Sequence, residues 1–357
     1  MGAKLVVVIA YLTAFLCDHL ALSRPFQARD GVLHVLAGQS IQEAINSAGP
    51  GTQITVGAGI YAEQLTITKD GISLVGEGAV LVPPNVAVQN TCTDIAGDGT
   101  EAGICVTGSG VELAPFEFDH QKVLSVAQTV KDVSITGFLV NGFNGENIAV
   151  VGGTDVHVSN NSLYNGETYG FLAAGSTNTI ISKNSVVSED TLAFIAICID
   201  NFDSASVLNN HISGYNIGVC IQTSGAETAF NDISDSCIGA YIDPGIDSAR
   251  VSHNHIGATH PDCVTQALIG LSIGVTVWGA VNSVVQSNVI QDQHAGGMAA
   301  GISVVDGFDF GPEFVATGNT VIDNVLFNND VDIFVNTTGT GNVISQNQCS
   351  TPAEICS

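Results

Sequence analysis

The sequence predicts an all-β chain wound as one elongated parallel solenoid, with a short α-helix closing its N-terminal end. An asparagine recurs in matching apolar surroundings through the second half of the chain, and an apolar strand of common appearance follows most recurrences. The composition agrees. Among 357 residues there are 40 glycines, 45% hydrophobic residues and only 12% charged ones, a profile of tight turns around a large core.

The asparagine copies read HVSNNSL around Asn161, IISKNSV around Asn184, VLNNHI around Asn210, AFNDI around Asn231 and VSHNHI around Asn254. They continue as VVQSNVI around Asn288, VATGNTV around Asn319 and VISQNQ around Asn347. The first intervals are 23, 26, 21 and 23 residues, and the next three are 34, 31 and 28. A period of this size marks a stacked repeat in which each unit buries its apolar face only against its neighbours. The asparagine is expected in a turn, in the αL conformation and bonded to its copy in the next coil. Two strand types and a turn per coil then account for the repeat.

Read from the N-terminus, residues 1–23 are expected to be a secretory signal. They hold Lys4, the apolar run from Leu5 to Leu16, and Ala21-Leu22-Ser23 as a small-residue cleavage site. The run stops at Asp18-His19 and is too short for a membrane anchor, and no later stretch is long and apolar enough to cross a bilayer. Residues 24–357 are expected to form the solenoid domain. Ser40-Ile41-Gln42-Glu43 is a capping box, and Ile41, Ala44, Ile45 and Ala48 line one face of a helix over about 40–48 that would cover the open end of the core. Strand patterns follow in TQITV, QLTIT and GISLVGEG. Residues 83–115 break the rhythm, and regular coils are expected from about 133 to 347. The longer intervals place insertions at 257–270, 295–301 and 308–312, and solenoid insertions emerge on a face, commonly the binding face.

Cys17 leaves with the signal, and the eight remaining cysteines suit disulfides in a secreted chain. Cys92–Cys105 and Cys349–Cys356 each close a short polar loop. Cys198 and Cys220 hold equivalent places in FIAICID and IGVCIQT and are expected to bridge neighbouring coils, which leaves Cys237 for Cys263. Zinc is not expected, because no Cys-x-x-Cys has a matching histidine pair. The sequons at Asn160 and Asn336 fit a glycosylated extracellular protein. The net charge of −26 is unchanged by loss of the signal, which removes Lys4 and Asp18 together. Such a surface argues against nucleic-acid and anionic-membrane partners and keeps the protein soluble, and a monomer is expected.

With the capping helix SIQEAINSA, the strands of GTQITVGAGIYAEQLTI and the asparagine-punctuated coils in place, the chain resembles the right-handed parallel β-helix, or pectin-lyase-like, superfamily of secreted proteins. The resemblance runs from about Val35 to the end. It implies the fold, and it admits lyases, hydrolases, epimerases, esterases and non-enzymes. Tyr241-Ile242-Asp243-Pro244 is similar to the Asp-Pro element of mannuronan-epimerase-type β-helices, with Gly245 where those carry histidine. The general layout resembles polygalacturonase-type hydrolases, without their Gly-His-Gly and Arg-Ile-Lys elements.

Aligning IAICI, IGVCI, IGAYI, IGVTV and GISVV places Asp200, Gln222, Asp243, Trp278 and Asp306 in one column. A second column holds Asp203, Asp247, Asn282 and Asp309. Coils rise about 4.8 Å, so carboxylates two coils apart stand about 10 Å apart, near the roughly 6.5–9.5 Å that an inverting glycosidase leaves for water. Asp200, Asp243 and Asp306 are the catalytic candidates. Trp278 would serve as a sugar platform, with Gln222, Asp203, Asp247 and Asp309 as substrate contacts. Turn formation is the competing role, because DNFD, DPGID and DGFD sit where strands end. Calcium is a further option for clustered carboxylates. A lyase would require it, since Lys183 and Arg250 are the only cations in the regular coils. His253 and His255, which flank Asn254, could be a base or metal pair or solvent-facing turn residues. The expected function is a secreted carbohydrate-active enzyme acting on a polysaccharide or glycan, of hydrolase or isomerase type, with carboxylate acid/base chemistry on the solenoid face. The alternatives are a non-catalytic glycan-binding β-helix, a calcium-dependent lyase or a small-molecule enzyme with an apolar pocket at Trp278 and Phe308.

Overall fold

Each coil is a run of short β segments whose inward residues are Val, Ile or Leu and whose corners are Asn, Gly or Ser. In the computed structural model, which describes residues 27–29, 31–189, 192–266 and 272–356, these segments stack into three sheets, parallel except where Gln27–Arg29 pairs antiparallel with Val32–Val35 at the edge of the first. The expected signal segment lies outside the described residues. The first sheet has 15 strands and the second and third have 10 each. One coil shows the plan, with Asp203–Leu208 in the first sheet, His211–Ser213 in the second and Tyr215–Ile221 in the third. The next coil repeats it in register, pairing Val207 with Thr228, Ile212 with Ile233 and Val219 with Ala240.

Three sheets replace the two strand types read from the sequence. The asparagine divides what looks like one strand into two short strands, one in the first sheet and one in the second, as in Asp203–Leu208 and His211–Ser213 around Asn210. Its side chain forms a buried ladder at the corner between the first and second sheets. Asn210 Nδ2 donates to Asn231 Oδ1 at 3.0 Å and to Ile181 O at 3.0 Å, and Asn210 N donates to Asn231 Oδ1 at 2.9 Å. The same pattern runs through Asn161, Asn184, Asn231, Asn254, Asn288 and Asn324 to Asn347. Every amide between the ends of the row donates and accepts within it, and at the ends Asn161 accepts from Phe138 N and Asn347 donates to Val321 O, which removes the cost of burial.

Two expectations change here. The αL residue is the one before each ladder asparagine, as at Asn160, Lys183, Asn209 and His253. The rung after Asn288 is Asn324, not Asn319. Asn319 belongs to a second, shorter row with Ser283 and Asn342.

The capping helix, α1, spans Ile41–Ser47 and buries Ile41, Ala44 and Ile45 over the end of the core. Ser40 Oγ accepts from Glu43 N at 3.1 Å, while the amides of Ile41 and Gln42 go to Glu63 from the next coil, each at 3.0 Å. Lys69 Nζ closes the other end, donating to the carbonyls of Ile45, Asn46 and Ala48. A long-range carboxylate and a long-range cation thus match the two poles of the helix.

In the third sheet, Gly239 and Gly274 fix the register. A Cβ on either would stand 2.5 Å from the carbonyl oxygen of the next coil's glycine, Gly274 and Gly301 respectively. Aligned on these glycines, Trp278 pairs with Val305. Asp306 is therefore one residue out of the expected column. The apolar run GISVV had suggested the wrong frame.

The segment read as irregular holds a full third-sheet strand, Ala102–Thr107, and one arm of an antiparallel hairpin, Ser109–Leu113 with Val123–Gln128. The hairpin loop, residues 114–122, folds back over the outer face of the third sheet. Ala114 N to Lys122 O closes the loop and Gln121 N to Ile95 O holds it, both at 2.8 Å, and His120 reaches Tyr169 and Asp200 on the sheet. Beneath it, outward residues such as Tyr169, Cys198 and Ile217 form a second apolar layer, separate from the core inside the coil.

Disulfides join Cys92–Cys105, Cys237–Cys263 and Cys349–Cys356. Cys198 and Cys220 do stack in register, but both are free thiols, which corrects the expected fourth bridge. In-register residues on parallel strands point the same way at the strand spacing of about 4.8 Å. A disulfide wants its Cβ atoms about 3.8 Å apart. Among the described residues no helix is long and apolar enough to cross a membrane.

Candidate active site

The outer face of the third sheet and the loop folded over it bring six polar side chains together. Asp200, Gln222 and Asp243 come from three successive coils, each directly after a registered pair, so they form a column up the face. Asp119, His120 and Lys122 come from the hairpin loop. His120 Nε2 lies 3.0 Å from Asp200 Oδ2, and its Nδ1 lies 3.2 Å from the Tyr169 hydroxyl and 3.3 Å from Asp119 Oδ2. Gln222 Nε2 donates to Asp119 Oδ2 at 2.8 Å, and Lys122 Nζ donates to Gln222 Oε1. The ammonium lies 3.4 Å from Asp200 Oδ2 and 3.9 Å from Asp119 Oδ2.

The electrostatics divide the acids. Burial tends to raise the pKa of Asp119, but the bonds and charges of His120, Lys122 and Gln222 outweigh it and hold this carboxyl well below the usual range. Asp243 behaves oppositely. Burial, with Asp119 and Asp200 nearby, pushes it up to about 7 against the pull of Lys122 and Gln222. Its Oδ1 is buried and has no hydrogen-bond partner. His120 is almost fully buried, which alone would lower its pKa, yet its bonds to Asp119 and Asp200 raise it. One carboxyl that keeps its proton near neutrality beside others held by cations is the arrangement of an acid/base pair.

Beyond Asp243 the column continues to Trp278, whose ring meets Tyr241 edge-on at 5.7 Å and Phe310 edge-on at 6.0 Å. A cavity of about 610 Å³ opens over it, bordered by Met298, Val305, Asp306, Asp309 and Phe334. Below the cluster, Glu146 pairs in register with Tyr169. It is fully buried, both carboxyl oxygens lack partners, and burial raises its pKa to about 8. Behind the cluster, the Cys198 and Cys220 sulfurs and an Asp119 oxygen lie within 4.8 Å of one another. This set of two thiols and one carboxylate does not suit calcium, which prefers oxygen donors.

No protein-family profile and no curated protein sequence matches the chain. Solved structures do. The fold is similar to that of an alginate lyase from Paenibacillus sp. str. FPU-7, with a TM-score of 0.56 and 13% identity over 85% of this chain and 99% of that one. It is similar to the A-module of the mannuronan C-5 epimerase AlgE4 from Azotobacter vinelandii, with a TM-score of 0.52 and 13% identity over 87% and 93%. XylC in complex with xylose matches at a TM-score of 0.54 and 11% identity, over 85% and 70%. The chain has a right-handed parallel β-helix, the fold it shares with these structures. At these identities the likeness speaks for the fold.

On this β-helix, Asp200, Gln222, Asp243 and Trp278 share a column and Asp306 does not. Asp306 instead ties down the segments beside it, accepting from Ala316 N at 3.0 Å, from Thr338 N at 2.8 Å, and from the hydroxyls of Thr337 and Thr338. Asp203, the first residue of its first-sheet strand, and Asp247, bridged to Val281, are both exposed and are bonded by Ser204 Oγ and by Ser248 Oγ with Asn282 Nδ2. Asp309 borders the Trp278 cavity. His253 is an αL turn residue stacked on Phe230, and His255 pairs with Asp232 at 2.8 Å, so the two form no joint site. Asp119 and His120 were missed altogether. The signal available was the cluster Asp119-His120-Gln121-Lys122 in a chain with few cations, placed just past the break in the repeat.

Proposed function

We propose that the protein is a secreted glycan-active enzyme that hydrolyses a glycosidic bond on the outer face of the third sheet. The observation that carries this reading is the split between Asp243, raised to about 7 with a buried unpartnered oxygen, and the cation-held Asp119 and Asp200 beside it. Asp243 is the general acid and gives its proton to the leaving oxygen as the anomeric C–O bond breaks. Asp200 is bonded through Oδ2 and makes no bond through Oδ1 among the described residues. That oxygen takes a proton from the water whose oxygen forms the new bond to the anomeric carbon. With Gln222 between them, Asp200 and Asp243 stand about 10 Å apart at the backbone, a spacing that leaves room for the water and points to inversion. Asp119, His120 and Lys122 hold the base side of the site in place.

The enzymes named for alginate and mannuronan among the similar structures support a polysaccharide substrate. Three disulfides and the exposed sequon residues Asn160 and Asn336 support an extracellular setting. The test is to screen the purified chain on a panel of glycans and repeat the assay with Asp243→Asn. Turnover should fall by about 100-fold or more with thermal unfolding unchanged. Retained turnover removes the assignment.

A further inference from the structure

The cavity over Trp278 is built to take part of a ligand, and its charge selects which. Trp278 is 9% exposed, and its Nε1–H is buried without a partner. A buried, unpaired donor costs about 1–3 kcal/mol, so the indole is seated at a cost that the apolar contacts around it offset. The indole is held by Tyr241 and Phe310 at interplanar angles of 76° and 85°, so its face is fixed rather than free to turn. Met298 and Phe334, both exposed, extend the apolar surface. An apolar floor of Trp278, Met298 and Phe334 bordered by the carboxylates of Asp306 and Asp309 matches a sugar ring, which offers C–H groups on one side and hydroxyl donors at its rim.

The surroundings are anionic. Asp306 and Asp309 border the cavity, and Asp243 is in the adjoining coil. After Lys131 the sequence contains only Lys183 and Arg250 as cations. Lys131 and Arg250 are on first-sheet strands, Arg250 bonded to Gln286, and Lys183 sits at the corner between the first and second sheets. Lys122 is therefore the one lysine or arginine on the outer face of the third sheet among the described residues from Asp119 onward. A carboxylate placed over Trp278 would meet no lysine or arginine and at least two acids.

We infer that the bound glycan runs from Asp243 toward the C-terminal coils and lodges an uncharged sugar unit over Trp278, so that the enzyme takes a neutral glycan and rejects polyuronates in this subsite. The inference rests on the hydrolase reading only for the direction of the chain past Asp243.

Trp278 is the single tryptophan of the sequence, so tryptophan fluorescence reports this cavity alone. The full chain carrying Asp243→Asn is titrated with xylohexaose, mannohexaose, cellohexaose and hexagalacturonate. At least one neutral oligosaccharide should shift the emission saturably, and hexagalacturonate should leave it unchanged. A saturable shift with hexagalacturonate, or none with any neutral sugar, overturns the inference. Asp309→Lys keeps the question open to a gain of function, since it should admit hexagalacturonate to the cavity. The two readings fail separately. A neutral sugar that shifts Trp278 but is never cleaved by the unaltered enzyme removes the hydrolase reading alone. Cleavage of a glycan that leaves Trp278 silent removes the subsite alone.

Discussion

His120 Nε2 lies 3.0 Å from Asp200 Oδ2, although 80 residues separate the two in the chain. The contact joins a loop outside the repeat to a strand within it, and the same ring reaches Asp119 and Tyr169 through Nδ1. His120 is thus a positioning residue that holds the base-side carboxylate against the sheet. His120→Gln should lower kcat by about 100-fold with a much smaller change in KM, measured by initial rates on the glycan identified in the screen. Unchanged kcat would remove His120 from the machinery.

Glu146 is a buried carboxyl with no hydrogen-bond partner, and its pKa is raised from 4.5 to about 8. The folded state keeps this proton after the unfolded state has lost it. Stability is therefore full below pH 4.5 and declines as pH rises toward 8, by about 1.4 kcal/mol per unit at most. Glu146→Gln removes the charge without removing volume. Its melting temperature should match the parent at pH 5 and exceed it at pH 8, and equal melting temperatures at both would show that Glu146 finds a partner.

Cys198 and Cys220 are free and buried, and burial raises both thiols. Alkylation in denaturant without reductant, read by mass spectrometry, should label these two and none of the other six cysteines after residue 23. The native protein should resist the reagent. A linked Cys198–Cys220 peptide would restore the bridge expected from the sequence.

Much of the fold was legible because a solenoid writes its geometry into the chain once per coil. The ladder asparagine, the capping helix at Ser40 and the closed loops at Cys92 and Cys349 each carry local chemistry that one copy reveals. Register was harder. Asn319 and Asn324 lie five residues apart in similar surroundings, and only the three-dimensional row decides between them. Asp306 slipped by one because Val304 and Val305 read as a continued apolar run, while the steric limit at Gly274 and Gly301 that sets the frame leaves no mark beyond the glycines themselves. The candidate site was half visible. Asp200, Gln222, Asp243 and Trp278 follow from the period, whereas Asp119, His120 and Lys122 sit on a loop that has none.

The pH dependence of turnover bears most directly on the central claim. If Asp243 donates a proton with a pKa near 7, kcat/KM should be level just below that value and fall about tenfold per pH unit above it, with a second fall only at low pH where the base Asp200 takes up a proton. A rate that climbs through pH 7 would mean that the site works with Asp243 ionised, and the acid/base assignment would be reversed.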